Sequence, residues 1–119
     1  MILVDTSVWV DHLRKGDAEL SNLLEAENVL CHPFVVGELA LGMLRNRRKI
    51  VSSLQDLPHA DVASHDEVMA LIEEAPLYGK GIGLIDAHIL ASCLITRCPL
   101  WTKDARLRSV AEMVGASVY

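Results

Sequence analysis

The sequence predicts an α/β fold: a central parallel sheet of four to five strands with helices on both of its faces. Short apolar segments alternate along the 119 residues with longer segments whose apolar residues recur at helical spacing, a pattern typical of βαβ units. Just over half of the residues, 51%, are hydrophobic, which is enough to cover both faces of a sheet. No linker, repeat or low-complexity tract divides the chain, so we expect one domain over residues 1–119.

Apolar runs and capping signals define the elements of the first part of the chain. Residues 2–4 form an apolar first strand, and Ser7 can cap a helix over 7–14. A second helix over 18–26 and a strand over 28–31 follow. Pro33 opens the next helix, because its missing N–H costs nothing in a first turn. That helix is expected to reach residue 44, with a core stripe of Val36, Leu39, Ala40 and Met43.

The remaining elements follow from the same signals. Ser64 and Glu67 have capping-box spacing, and Gly115 is a normal helix stop. We expect helices over 48–55, 64–75, 84–96 and 105–114, and strands over 60–62, 99–102 and 116–119.

Charge and composition limit the classes of function. The net charge of −5 alone argues against nucleic-acid binding, which usually needs a basic surface. The positive charges, however, fall in two clusters, each equally well explained as a solvated helix face: Arg45, Arg47, Arg48 and Lys49, and Lys103, Arg106 and Arg108. The N-terminus reaches Asp5 without a basic leader, and no apolar run has the about 20 residues of a membrane span. We therefore expect a cytoplasmic protein without membrane contact.

The cysteines and histidines indicate no metal site of their own. The three cysteines lack CxxC spacing, which argues against both a disulfide framework and a zinc site. Cys31 and Cys93 lie in apolar segments and are expected to be reduced core residues. None of the five histidines stands at a metal-binding spacing.

Two acidic residues follow predicted strands. Asp5 comes directly after the apolar strand ILV, and Asp104 follows the strand PLWT by one residue. Ligand sites of open α/β sheets lie beyond the carboxyl ends of the strands, so both carboxylates are candidates for one site. Each could instead simply cap the helix that follows it.

Two further acids stand in apolar helices. Glu38 lies between Gly37 and Gly42, and glycine in a helix costs about 1 kcal/mol relative to alanine, which suggests a close approach or space for a ligand. Asp86 begins a helix whose apolar face it heads, with Ile89, Leu90 and Cys93 on the same side. A solvated Glu38 and a favourable interaction of Asp86 with the helix N-terminus are the alternatives.

A divalent cation would make a common site for these acids possible. Carboxylates that share a small volume repel each other, and some would stay protonated. Mg²⁺ prefers oxygen ligands and usually takes one or two carboxylates directly, with water and phosphate completing its shell. We therefore expect a magnesium site in which some of the four acids act through water.

Four motifs that carry these acids resemble the signature blocks of PIN-domain ribonucleases. They are LVDTSVWVDHLR, VVGELALG, GIGLIDAHILAS and LWTKDARL, and they span residues 2 to about 107 in the family's order. The chain is most similar to the VapC-type toxins of bacterial toxin–antitoxin pairs. The resemblance implies four catalytic acids, Asp5, Glu38, Asp86 and Asp104, supported by the hydroxyl residues Thr6, Ser7 and Thr102.

The resemblance also implies an activity, a metal and partners. Asp5, Asp86 and Asp104 would hold one or two Mg²⁺ ions, with Mn²⁺ as an alternative, and Glu38 would orient or deprotonate the attacking water. The reaction would be hydrolysis of RNA phosphodiester bonds by metal-activated water. Expected partners are RNA, a VapB-like antitoxin and a second copy in a homodimer. The weaker candidates for RNA binding are Arg45, Arg47 and Lys103.

Two other functions fit parts of the sequence. A phosphoacceptor receiver domain also combines a parallel sheet, magnesium and acids, but it needs an acidic pair beside the first strand, and Asp5 stands alone. Asp61, the candidate phosphoacceptor, has poor strand context. A PIN-like domain that binds RNA or protein without cleavage is the second alternative, and the presence of all four acids argues against it.

Overall fold

The computed structural model describes residues 1–119 as three short parallel strands and seven helices. In chain order the elements are β1 (Ile2–Val4), α1 (Thr6–Lys15), α2 (Ala18–Glu25), β2 (Val29–Leu30), α3 (Pro33–Ala40), α4 (Arg47–Gln55), α5 (His65–Glu74), α6 (Leu84–Thr96), β3 (Leu100–Trp101) and α7 (Ala105–Met113). The α/β class and the parallel sheet flanked by helices are thereby confirmed.

Strand β1 forms the centre of the sheet, whose strand order is β2-β1-β3. Leu3 pairs with Leu30 on one side and with Leu100 on the other. Every residue of β1 is buried. Since successive strand residues point to opposite faces, the helices cover both faces of this strand, as expected for a parallel sheet.

The expectation of four to five strands is wrong, because the two outermost segments make only single bridges. Cys31 forms an isolated parallel bridge with His59, and Leu100 forms one with Val118. Strands β2 and β3 contain two residues each and offer little length to a further partner. The segments predicted as strands over 60–62 and 116–119 therefore lie at the sheet edges without forming ladders.

The end of α3 also differs from the prediction. The helix ends at Ala40, with Leu41 as its C-cap, four residues before the expected end. Asn46 then adopts a left-handed conformation (φ 55°) ahead of α4. As a result Met43, predicted in the core stripe, is fully exposed.

A single core of 28 buried residues holds the elements together. All three cysteines are free and buried, as predicted for Cys31 and Cys93. Every residue of α6 from Ala87 to Cys93 is buried, so this helix runs through the interior. None of the helices has the length and apolar character needed to span a membrane.

Candidate active site

Asp5 is a buried carboxylate fixed by hydroxyl groups from two distant segments. Its side chain is 5% exposed. Oδ2 accepts hydrogen bonds from Ser7 Oγ (2.7 Å), Thr102 Oγ1 (2.8 Å) and, more weakly, the Ser7 backbone N–H (3.4 Å). Asp5, and not Ser7 as expected, is thus the N-cap of α1. Asp5 therefore both caps α1 and accepts hydrogen bonds from the Ser7 and Thr102 hydroxyls.

The same hydroxyls attach the chain after β3 to Asp5. Ser7 Oγ accepts a hydrogen bond from the Lys103 backbone N–H (2.9 Å), and Thr102 Oγ1 accepts one from the Asp104 backbone N–H (3.0 Å). Each hydroxyl therefore accepts from the loop and donates to the carboxylate. The loop that carries Asp104 is positioned through this network at the carboxyl end of β1.

Glu38 is brought to this region by a hydrogen bond across two helices. Thr6 Oγ1, in the first turn of α1, donates to Glu38 Oε1 on α3 over 2.7 Å. Thr6 directly follows Asp5 in the chain, so the bond connects the second predicted acid to the segment of the first. Glu38 is only partly exposed, which differs from a freely solvated helix residue.

Asp86 lies within the electrostatic field of the other three acids. It sits in the first turn of α6, where Oδ2 accepts a weak hydrogen bond from the Gly83 backbone N–H (3.4 Å). Burial raises the pKa of the Asp86 carboxyl, and the negative charges of Asp5, Asp104 and Glu38 raise it further, although the Gly83 hydrogen bond opposes them. Four acids from separate segments therefore share one region, as the sequence predicts.

Asp104 is the N-cap of α7. Its Oδ1 accepts hydrogen bonds from the backbone N–H groups of Arg106 (2.9 Å) and Leu107 (3.2 Å). The side chain is exposed. Helix capping therefore uses one carboxylate oxygen of Asp104. The negative charge of Asp104 also contributes to the raised pKa of Asp86.

The donor chemistry of the cluster fits a hard divalent cation. Each of the four carboxylates uses one oxygen in the hydrogen bonds above, and its second oxygen accepts none within the protein. No three His, Cys, Asp or Glu side chains are arranged to hold a metal ion between them. Mg²⁺ usually takes one or two carboxylates and completes its shell with water, so the cluster fits an ion held partly through water. Direct binding by Asp5, Asp86 and Asp104 together stays a prediction.

The basic residues proposed for RNA lie in different surroundings. The Lys103 ammonium pairs with Asp11 Oδ2 and Asp17 Oδ2, both at 3.0 Å. Arg47 Nε donates to the Ala40 carbonyl at the end of α3 (2.6 Å), and Arg45 is exposed. Sequence reasoning placed Arg106 in a basic cluster but did not name it as a candidate for RNA; its side chain lies against Gly81 in the loop before Asp86. Its position two residues after Asp104 was the available signal.

The family model of the PIN domain matches residues 2–113, and the chain belongs to the PIN-domain family. Ribonuclease VapC32 of Mycobacterium tuberculosis (strain CDC 1551 / Oshkosh) is 43% identical over 119 residues, which cover 99% of this chain and 96% of the relative. These matches confirm the resemblance to VapC-type ribonucleases that the four motifs indicated.

Two solved structures share the fold. FitAcB from Neisseria gonorrhoeae superposes with a TM-score of 0.68 and 20% identity, covering 100% of this chain and 96% of that one. FitAB bound to an IR36 DNA fragment gives a TM-score of 0.66, also at 20% identity, with coverage of 100% and 94%. At this identity the likeness concerns the fold alone.

Proposed function

We propose that this protein is a divalent-metal-dependent endoribonuclease and the toxin component of a type II toxin–antitoxin system. The observation that carries the proposal is the group of four carboxylates, Asp5, Glu38, Asp86 and Asp104. Burial raises the pKa of the Asp86 carboxyl, and the negative charges of the other three acids raise it further. Its relative is named a ribonuclease, which agrees with this chemistry.

Asp5, Asp86 and Asp104 are the proposed metal-binding residues, with some of them acting through water because no three acidic side chains are arranged to hold an ion between them. Asp5 is the most fixed of the three, since Oδ2 is held by two hydroxyls and Oδ1 accepts no hydrogen bond from the protein. Bound Mg²⁺ or Mn²⁺ would supply charge stabilisation at the scissile phosphate and a lower pKa for the attacking water. The carboxylates of Asp86 and Asp104 would complete a site that attracts the cation and positions it against the RNA backbone.

Glu38 is the proposed residue that orients or deprotonates the water. Thr6 holds Oε1, and Oε2 accepts no hydrogen bond from the protein, so one oxygen is fixed while the other can accept a proton. Attack by water in line with the leaving oxygen would give a 5′-phosphate and a 3′-hydroxyl. Cleavage through the RNA 2′-hydroxyl would instead give a 2′,3′-cyclic phosphate, so the product ends distinguish the two mechanisms.

The test is RNA cleavage by the purified protein with Mg²⁺ or Mn²⁺, together with sequencing of RNA 5′ ends after induced expression. Glu38→Gln and Asp5→Asn should each lower the cleavage rate about 100-fold or more, beyond the usual cost of changing an outer-shell residue. Glu73→Gln, an exposed acid on α5, is the matched control and should cleave at the wild-type rate. A folded Asp5→Asn protein with full metal-dependent cleavage would refute the assignment.

The proposed partners are a VapB-like antitoxin and a second copy of the chain. Co-expression with a cognate VapB-like antitoxin should abolish cleavage and yield a complex stable to gel filtration. Light scattering of the isolated protein should give the mass of a homodimer. A monomer that cleaves RNA at the same rate over a range of protein concentrations would contradict the dimer.

A further inference from the structure

We infer that Lys80 and Arg106 form a binding subsite for an RNA phosphate next to the scissile one. The inference rests on the proposed ribonuclease function and assigns it substrate contacts other than Arg45, Arg47 and Lys103. Lys80 and Arg106, together with Ser109, line one surface cleft of about 360 Å³ between the glycine-containing loop and α7.

The position of the cleft connects two acid-bearing segments. Lys80 lies six residues before Asp86, in the loop that leads to α6, and Arg106 lies two residues after Asp104, in the first turn of α7. The Arg106 backbone N–H donates to Asp104 Oδ1. An RNA strand bound at the carboxylates would, on this inference, place a neighbouring phosphate in the cleft.

The Arg106 side chain packs against the backbone of Gly81, where a larger residue would collide with it. A Cβ built on Gly81 would lie 3.0 Å from Arg106 Cδ and 3.1 Å from Nη1, and Gly81 has φ +81°, a conformation that L side chains rarely adopt. The loop backbone is thus open where the arginine side chain crosses it. The Arg106 side chain therefore packs against the loop, and Arg106 lines the cleft together with Lys80.

Neither cation is neutralised within the protein. Ion pairs involve Lys103 and Arg108, whereas Lys80 and Arg106 make none. In a chain of net charge −5, two unpaired cations that line one cleft give a local attraction for phosphate that the overall charge does not. An arginine fork and a lysine ammonium are both suited to phosphate oxygens.

An acidic segment of a partner protein could bind to the same two cations. RNA is favoured because both cations come from the segments that carry Asp86 and Asp104. Successive phosphates of one strand would then meet the carboxylates and the two cations. The serine hydroxyl of Ser109 adds a neutral donor that also suits a phosphate oxygen.

The test measures RNA binding separately from cleavage. A fluorescein-labelled 12-nucleotide single-stranded RNA of mixed sequence is titrated in EDTA, between about 50 and 200 mM NaCl, and followed by anisotropy. Each lost phosphate contact should lower the slope of log K against log[NaCl] by about 0.7. Arg106→Gln and Lys80→Gln should each weaken binding and show this loss, and Arg106→Lys should restore part of it.

Arg108→Gln is the matched control. It removes one positive charge from the same helix, but Arg108 is exposed and pairs with Glu112 (3.4 Å), so the slope should stay at the wild-type value. Equal losses of affinity and salt slope in the Arg106 and Arg108 variants would show an effect of overall positive charge and overturn the subsite. Unchanged binding in both Arg106→Gln and Lys80→Gln would overturn it as well. If Arg106→Gln fails to fold, Lys80→Gln on the exposed loop decides the question. Because binding is measured without divalent ions, a chain that never cleaves RNA can still pass or fail this test.

Discussion

Replacing Thr102 by valine should destabilise the protein and disorganise the site together. Thr102 is 4% exposed; it donates to the Asp5 carboxylate and accepts from the Asp104 N–H. A hydrogen bond to a charged group contributes about 1.5–3 kcal/mol and a neutral one about 0.5–1.5 kcal/mol. The expected loss for Thr102→Val is therefore about 2–4 kcal/mol of unfolding free energy.

Urea denaturation measures this loss directly. With a slope of about 2 kcal/mol/M, typical of small domains, the unfolding midpoint should fall by about 1–2 M. Thr102→Ser is the control, because it keeps the hydroxyl and loses only a methyl group, which costs about 0.8 kcal/mol. If the valine variant is as stable as the serine variant, the Thr102 hydroxyl does not hold Asp5, and the hydrogen-bond network does not organise the site.

Three further predictions concern the histidine core, the acids and an ion pair. His32 is fully buried, and burial, together with the nearby His88 and His59, lowers its pKa to about 4. Because the unfolded residue binds its proton at about pH 6.5, the free energy of unfolding should fall by about 3 kcal/mol between pH 6.5 and pH 4. Urea titrations of wild type and His32→Gln should therefore differ in this pH range. Asp86→Asn removes a carboxylate whose pKa is raised, so in EDTA at pH 7 it should unfold at higher urea concentration than wild type, and Mn²⁺ should remove that advantage. Lys103→Met breaks the pairs with Asp11 and Asp17 and should lower the thermal midpoint at low salt but little at high salt.

The parts of the fold set by local signals were predictable. The apolar run of β1, Pro33 at the start of α3 and the capping box of Ser64 and Glu67 all stand where their residue types indicate. Such features depend on the neighbouring residues only. The prediction of the four acids depends on signals of the same local kind, because each acid breaks a local apolar pattern or follows a strand.

Features that depend on long-range pairing were not predictable. Whether a segment near His59 or Val118 makes one bridge or a ladder is decided by the length of the strand it meets. The Lys103–Asp17 pair joins residues 86 apart in the chain, and the Thr102–Asp5 bond joins residues 97 apart. No local spacing records these contacts, so the sequence could not show that the Lys103 ammonium pairs with Asp11 and Asp17.

The proposed activity depends most on the attraction of a shared divalent cation by the four acids. Calorimetric titration of the purified protein with Mn²⁺, in the absence of RNA, tests this directly, with Asp5→Asn and Asp86→Asn beside the Glu73→Gln control. We predict saturable binding by wild type and by the control, weakened about 10–100-fold or more in both aspartate variants. Equal Mn²⁺ affinity in all four proteins, or none in folded wild type, would contradict the account.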